Sequence, residues 1–186
     1  SYCAVCDGPF FRGKTVVVVG GGDSACTEAL FLSKLASRVI LVHRRAEFRA
    51  QKVSVDRVMS APNIQVRLNT VIRKITGGDA QKNGGGVSGV ILSAPDGSAE
   101  ETVSADGVFI FAGMKPRTNL IDFLKKDICS YIVTDESMAT AVPGLFCAGD
   151  IRSKPLRQIV TACSDGAVAA FSVEKYIDSL KRGESK

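Results

Sequence analysis

The chain has 186 residues, 45% hydrophobic and 23% charged, enough for one good core or two small ones and unlike a fibrous or disordered protein. Six cysteines with a single close pair fit a reducing, cytoplasmic setting better than a disulfide-stapled secreted domain, and the strand-length apolar runs and absent signal peptide argue against membrane association. The net charge of +5 is dispersed except at His43-Arg44-Arg45 with Arg49, where no aromatic platform accompanies it, so nucleic acid is not expected and the cluster reads as a small-anion site.

The first feature in chain order is Cys3-Ala4-Val5-Cys6-Asp7. Two thiols separated by two residues can close a small disulfide, which is exchangeable where a helix start lowers the thiolate pKa. Asp7 can carry the proton that exchange must move. Cys-X-X-Cys also opens zinc sites, but Cys26, Cys129, Cys147 and Cys163 are scattered singly and the sole histidine, His43, sits among arginines. A redox pair is therefore the stronger reading, and no metal is expected.

Thr15 to Val19 is a continuous β-branched run ending at Gly20-Gly21-Gly22, as a parallel strand buried on both faces requires. Ser24 to Ala36 reads as helix, with Ala25, Ala29, Leu32 and Ala36 facing the sheet, and Val39 to Val42 closes a βαβ unit. Arg49 to Ser60 reads as helix and Ile64 to Leu68 as strand. Val71 to Ile75, Val87 to Leu92 and Glu101 to Val103 follow as an antiparallel meander, separated by a glycine-rich loop (Gly77, Gly78, Gly84, Gly85, Gly86) and an Asp96-Gly97 turn. Gly107 to Phe111 returns as a buried strand. Beyond Pro116 come a short helix near Asn119 to Leu124, a strand at Tyr131 to Val133, the Gly149-Asp150 turn, and a long amphipathic helix from Gln158 to Leu180. A boundary is expected near Gly113 to Arg117.

Gly20-X-Gly22-X-X-Ala25 between a buried strand and a helix is the context in which a glycine loop binds a dinucleotide. Gly20 makes the tight turn, Gly22 lets backbone approach pyrophosphate, and Ala25 lets helix and strand pack closely. The second strand ends in His43-Arg44-Arg45 rather than a carboxylate. Guanidinium groups grip a 2′-phosphate, with Arg49 one turn on, so NADPH is favoured over NADH and His43 reads as a phosphate or ribose contact. A nicotinamide gives up hydride whereas a disulfide accepts electrons by exchange at sulfur, so a flavin is expected between them. Asp150, for ribityl hydroxyls, and the helix start at Arg157-Gln158 are its candidate site.

Five blocks carry a resemblance to the low-molecular-weight, bacterial-type thioredoxin reductases: Ser1 to Gly8, Gly20 to Ala25, His43 to Ala50, Phe111-Ala112-Gly113, and Gly144 to Asp150 through Pro155 to Gln158. The resemblance implies that Cys6 is the flavin-facing sulfur, Cys3 attacks the disulfide of thioredoxin or a thioredoxin-like protein, and Asp7 is the acid. It assigns Gly20, Gly22, Asp23, Ser24, Ala25, Arg44, Arg45 and Arg49 to NADPH, and Asp150, Arg157, Gln158 and Ile159 to FAD. Gly113 and Gly149 join the cofactor-binding set. It further implies a homodimer and a domain rotation that brings dithiol and nicotinamide to the flavin in turn.

The family's earlier glycine fingerprint for the FAD pyrophosphate is absent, and the chain begins at Ser1 rather than Met. The expectation is therefore a fragment. It would comprise a Rossmann-like NADPH domain (residues 1–113; parallel sheet plus β-meander) and the C-terminal part of a split FAD-binding α/β domain (residues 114–186), binding NADPH but inactive alone. Two alternatives stay open: the flavoprotein subunit of an alkyl hydroperoxide reductase, and a non-catalytic NADPH-binding module. Ferredoxin-NADP reductases of similar build lack the dithiol.

Overall fold

A run of five β-branched residues cannot settle into a helix without crowding at χ1, and Thr15–Val19 accordingly forms the central strand, β1. The computed structural model describes residues 1–78 and 86–183. The glycine loop expected around Gly84 and Gly85 lies outside the described residues. β1 pairs in parallel with β2 (Arg38–Val42) and with β7 (Gly107–Ile110), and β2 pairs in parallel with β3 (Ile64–Arg67), giving the order β3-β2-β1-β7. A second sheet is antiparallel, β4 (Val71–Gly77), β5 (Val87–Ser93) and β6 (Glu101–Ser104), in the order β4-β5-β6.

Alternate residues of the central strands enter opposite layers, as the two-residue period of a strand dictates. Val16, Val18, Val39, Leu41 and Phe109 pack with Ala25, Ala29 and Leu32 of α2 (Asp23–Ser33) and with Val58 of α3 (Lys52–Ser60). Val17, Ile40, Val42 and Val108 pack with Val90 and Leu92 of β5 on the other face. This is an α/β, Rossmann-like arrangement in which helices cover one face of the parallel sheet and the meander covers the other.

Two helices are shorter than their patterns predict. α2 stops at Ser33, and Lys34 to Ala36 close as tight turns with Ala36 N–H donating to the Leu32 carbonyl at 2.8 Å. The apolar period runs on to Ala36 because that residue still faces the core, 6% exposed. α3 begins at Lys52 because the preceding chain is held elsewhere: Arg49 N–H donates to the Gly21 carbonyl at 2.7 Å and Gln51 N–H to Asp23 Oδ1 at 2.8 Å.

The chain divides into two units, Ser1–Met114 and Lys115–Lys186. Within the second, the strand predicted at Tyr131 to Val133 is not formed. Ile132 instead makes isolated bridges to Lys126 and Arg152 around a small cluster of Leu124, Ile132 and Cys147. The helix expected near Asn119 to Leu124 is a 3-10 turn, Asn119–Ile121. α4, Ile159–Lys181, matches its prediction. None of the described helices is long and apolar enough to cross a membrane.

Candidate functional site

The carboxyl ends of β1, β2 and β7 open onto a cavity of about 500 Å³, walled on the remaining side by Thr70 and the first residues of β4, Val71 to Ile75. The crevice beside β1 is where the order of connections reverses, β1 leading outward to β2 and β3 while β7 returns on its other side. Open α/β sheets bind their ligands at such a point.

Each glycine of the triplet has a different reason to be one. A Cβ on Gly20 would lie 2.5 Å from the Phe111 carbonyl oxygen and 2.6 Å from Ala25 Cβ, so strand, loop and helix meet with no room for a side chain. A Cβ on Gly21 would collide with the His43 ring. At Gly22, the N-cap of α2, it would meet nothing within 4 Å, which leaves the first amides of α2 open to an anion.

His43 is 6% exposed and stacks on Phe48 with ring centroids 5.6 Å apart, so the imidazole lies between Gly21 and Phe48. Nε2 lies 3.0 Å from the Glu47 carbonyl oxygen. Burial pushes the His43 pKa down; the Glu47 carbonyl opposes this, and Arg45, Arg49 and Arg44 add to it. The ring is thus neutral at pH 7, a floor for the cavity rather than part of its charge. The charge comes from Arg44, Arg45 and Arg49, which are exposed and form no ion pair among the described residues. Asp23 is turned aside by its hydrogen bond to Gln51, so the only carboxylate of the loop is engaged with backbone.

The dithiol belongs to the same unit. Ser1 runs alongside β7, its carbonyl accepting from Ile110 N–H at 2.9 Å, and delivers the chain to α1, Ala4–Asp7, of which Cys3 is the N-cap. Cys3 and Cys6 are joined sulfur to sulfur with Cα atoms 5.3 Å apart, and Cys6 N–H donates to Cys3 Sγ at 3.1 Å. The following Phe11 lies flat on Gly107 and edge-on to Phe109 at 5.2 Å, and a Cβ on Gly8 would sit 3.2 Å from Leu32. These contacts pin the redox segment to the sheet. Asp7 is half-buried, and its N–H donates to the Cys3 carbonyl at 3.1 Å.

In the second unit Gly149–Ile151 is a 3-10 turn with Gly149 at φ +81°, a conformation that favours glycine. Asp165 of α4 is its anchor. It accepts from Gly149 N–H at 3.1 Å, Lys154 Nζ at 2.9 Å and Arg152 Nη1 at 2.9 Å. Burial raises the Asp165 pKa, but the Lys154 and Gly149 hydrogen bonds and the two cations outweigh it and hold the carboxyl below its usual range. Arg157 lies over the Tyr131 ring at 3.6 Å, with Nε donating to the Asp150 carbonyl at 3.2 Å. The Asp150 carboxylate is exposed, 3.7 Å from Lys154. Gln158 is the N-cap of α4, its N–H donating to Thr161 Oγ1 at 3.1 Å, and Ile159 and Val160 beside it are 85% and 72% exposed.

Residues 1–166 match the family model described as pyridine nucleotide-disulphide oxidoreductase. The chain belongs to that family. The chain is 48% identical over 181 residues to a thioredoxin reductase of Treponema pallidum, covering 97% of the chain and 57% of that protein. It is 45% identical over 185 residues to one of Listeria monocytogenes, covering 97% and 56%. A solved thioredoxin reductase from Streptococcus pyogenes superimposes with a TM-score of 0.87 at 42% identity, covering 96% of the chain and 57% of that structure. The chain therefore spans a little over half the length of these relatives.

The chain brings Gly20, His43, Arg44 and Arg49 to one crevice, with Gly22 beside it as the N-cap of α2 and Arg45 exposed outside the cavity lining, and it brings Cys3, Cys6 and Asp7 to one short helix. Ser24 and Ala25 begin α2 behind Asp23, Ala25 fully buried and Ser24 exposed, while Gly113 is exposed at φ +105°. Three features escaped sequence reasoning: Gly21 as the seat of His43, the β4 wall of the cavity, and Asp165 as anchor of the Gly149 turn. A third consecutive glycine was a visible signal for the first. The other two depend on contacts between segments far apart in sequence.

Proposed function

We propose that this chain carries the pyridine-nucleotide domain and redox dithiol of an NADPH-dependent thioredoxin-disulfide reductase, residues 1–113, with part of its FAD-binding domain, residues 114–186. The observation that carries the reading is the pairing, within one unit, of a Cys3–Cys6 disulfide with a glycine-loop crevice lined by Arg44 and Arg49.

The crevice fits NADPH. Gly22 leaves open the space that a Cβ would fill, the α2 amides face it, and Arg44, Arg45 and Arg49 offer forked donors to a 2′-phosphate. The second unit fits part of a flavin: the exposed Asp150 carboxylate suits hydroxyl groups, and exposed Ile159 and Val160 suit an apolar ring edge. When bound, FAD converts the hydride of NADPH into an electron pair that a disulfide accepts.

Two electrons would break the Cys3–Cys6 bond and leave both sulfurs as thiolates. Cys6 Sγ is the sulfur that would take up the electrons, and the Cys3 thiolate attacks the disulfide of a thioredoxin-like protein, forming a mixed disulfide as one substrate sulfur leaves. Asp7 holds the proton that this sulfur takes. Cys6 then attacks Cys3 Sγ, restoring the Cys3–Cys6 bond as the second substrate sulfur leaves and takes a proton from solvent, which completes the dithiol product. The full-length protein, on this reading, is a cytoplasmic homodimer acting on neither nucleic acid nor membranes.

Calorimetric titration tests the nucleotide half directly. The chain should bind NADP⁺ at least about tenfold more tightly than NAD⁺, and Arg44→Ala with Arg45→Ala should abolish that ratio, a loss of about 1.4 kcal/mol or more. Equal affinity for the two nucleotides in the unmodified chain would overturn the assignment.

A further inference from the structure

Directly behind the redox helix lies a carboxylate that the reading above does not use. Glu28 sits in the second turn of α2, where the Ala4 N–H donates to it. That amide belongs to the peptide joining Cys3 to Ala4. Bond lengths and an ordinary hydrogen bond put the accepting oxygen within about 6 Å of Cys3 Cα. The other oxygen, Oε2, is buried and has no hydrogen-bond partner among the described residues. Ala4 itself is fully buried, packed with Ala25, Ala29 and Leu32 of α2, while Glu28 and Cys3 are half-buried and Cys6 is exposed.

We propose that Glu28 is a positioning residue for the redox pair: its half-buried carboxylate, held on the Cys3–Ala4 peptide, couples its own protonation to that of the Cys3 and Cys6 sulfurs. Two negative charges on these neighbouring, partly buried side chains oppose one another. An ionised Glu28 holds the neighbouring thiol protonated, and a thiolate at Cys3 holds Glu28 protonated. Burial already pushes the Glu28 carboxyl above its usual range, against the pull of the Ala4 amide. The elements packed against α2 bring other ionisable groups: Asp7 on α1, Lys52, Asp56 and Arg57 on α3, Arg38 on β2 and Arg67 on β3. Asp23 and Cys26 lie on α2 itself. No cation among them forms an ion pair with Glu28.

The inference rests on the redox role of Cys3 and Cys6, but its test needs no nicotinamide, flavin or thioredoxin. Dithiothreitol reduces the chain, closing its own disulfide while the Cys3–Cys6 bond breaks and the two sulfurs take the protons that the reagent's thiols lose. Iodoacetamide labelling across pH, resolved by peptide mass so that exposed Cys129 and Cys163 are counted apart, then reports the Cys3 thiolate. The unmodified chain should titrate in two steps. Glu28→Gln should titrate in one, labelling about tenfold faster above the Glu28 step and equally below it. Superimposable profiles of the folded proteins would overturn the coupling and leave the redox reading intact, whereas a pair that dithiothreitol cannot reduce would overturn both. Should Glu28→Gln fail to fold, carbon-13 NMR of Glu28 in the unmodified chain decides. Its midpoint should rise by about half a unit or more on reduction, and an unmoved midpoint overturns the proposal.

Discussion

The two units of this chain are held together by different means. In Ser1–Met114, Val16, Val17, Val18, Leu41 and Phe109 are fully buried between two covering layers, so apolar area removed from water carries the unit. In Lys115–Lys186 the apolar cluster is three buried residues, and along the 23 residues of α4 the buried one is Asp165. Ile159 at 85%, Val160 at 72% and Phe171 at 58% exposure leave the helix's apolar surface uncovered by its own unit. The second unit is therefore organised around a charge. Its turn at Gly149, its loop at Arg152 and Lys154, and its long helix converge on one carboxylate. An apolar core tolerates pH and salt, whereas a carboxylate with two cations and an amide depends on both.

The largest effect that would test this contrast is expected at Phe109→Ala. It removes a fully buried ring from between α2 and the sheet and strips Phe11 of its edge-to-face partner. A loss of about 4 kcal/mol should appear in urea unfolding, with hydrogen exchange accelerating first in β1, β2 and β7. Exchange that rises equally in the second unit would break the distinction between the two.

Asp165→Ala comes next. It takes from Arg152 and Lys154 the carboxylate they share, at a cost of about 3 kcal/mol confined to the second unit, read by exchange across residues 149–165. The sign of its pH dependence follows from a folded-state pKa held below the unfolded one. The stabilisation is fully present above the unfolded value near 4 and is lost as pH falls through the lower, folded value. The variant should therefore lose its penalty in acid. A variant equally destabilised at every pH would rule out the ionic account.

Gly21→Ala has the smallest expected effect and sharpens the comparison inside the first unit. Its methyl must displace the His43 ring from its place against Phe48, costing about 2 kcal/mol by overpacking. Because that ring floors the cavity, NADP⁺ affinity should fall while the Cys3–Cys6 pair stays reducible. Unchanged affinity would show that the ring does not shape the crevice.

Legibility in the sequence follows the same division. The βαβ unit, the meander and the last helix were readable because each carries a local signal that survives in the fold: continuous β-branched runs, glycine turns, or an apolar period of three to four residues. The strand at Tyr131 to Val133 was misread because three apolar residues suffice for a strand pattern but not for a partner, and Ile132 found only isolated bridges. α3 started late because Arg49 and Gln51 are held by backbone and side-chain atoms of the glycine loop, a long-range restraint that propensity does not contain.

By itself the sequence determined which chemistries were within reach: a dithiol two residues apart, a glycine turn between strand and helix, and arginines where a carboxylate would otherwise stand. These are consequences of residue type and spacing, set along a few neighbouring positions. Only the tertiary structure decided that His43 is a neutral floor rather than a cation, that Asp165 anchors the Gly149 turn, and that Glu28 lies behind the Cys3–Ala4 peptide. Each depends on burial and on contacts across long stretches of chain. Packing alone assigns a solvent and a partner to a charge.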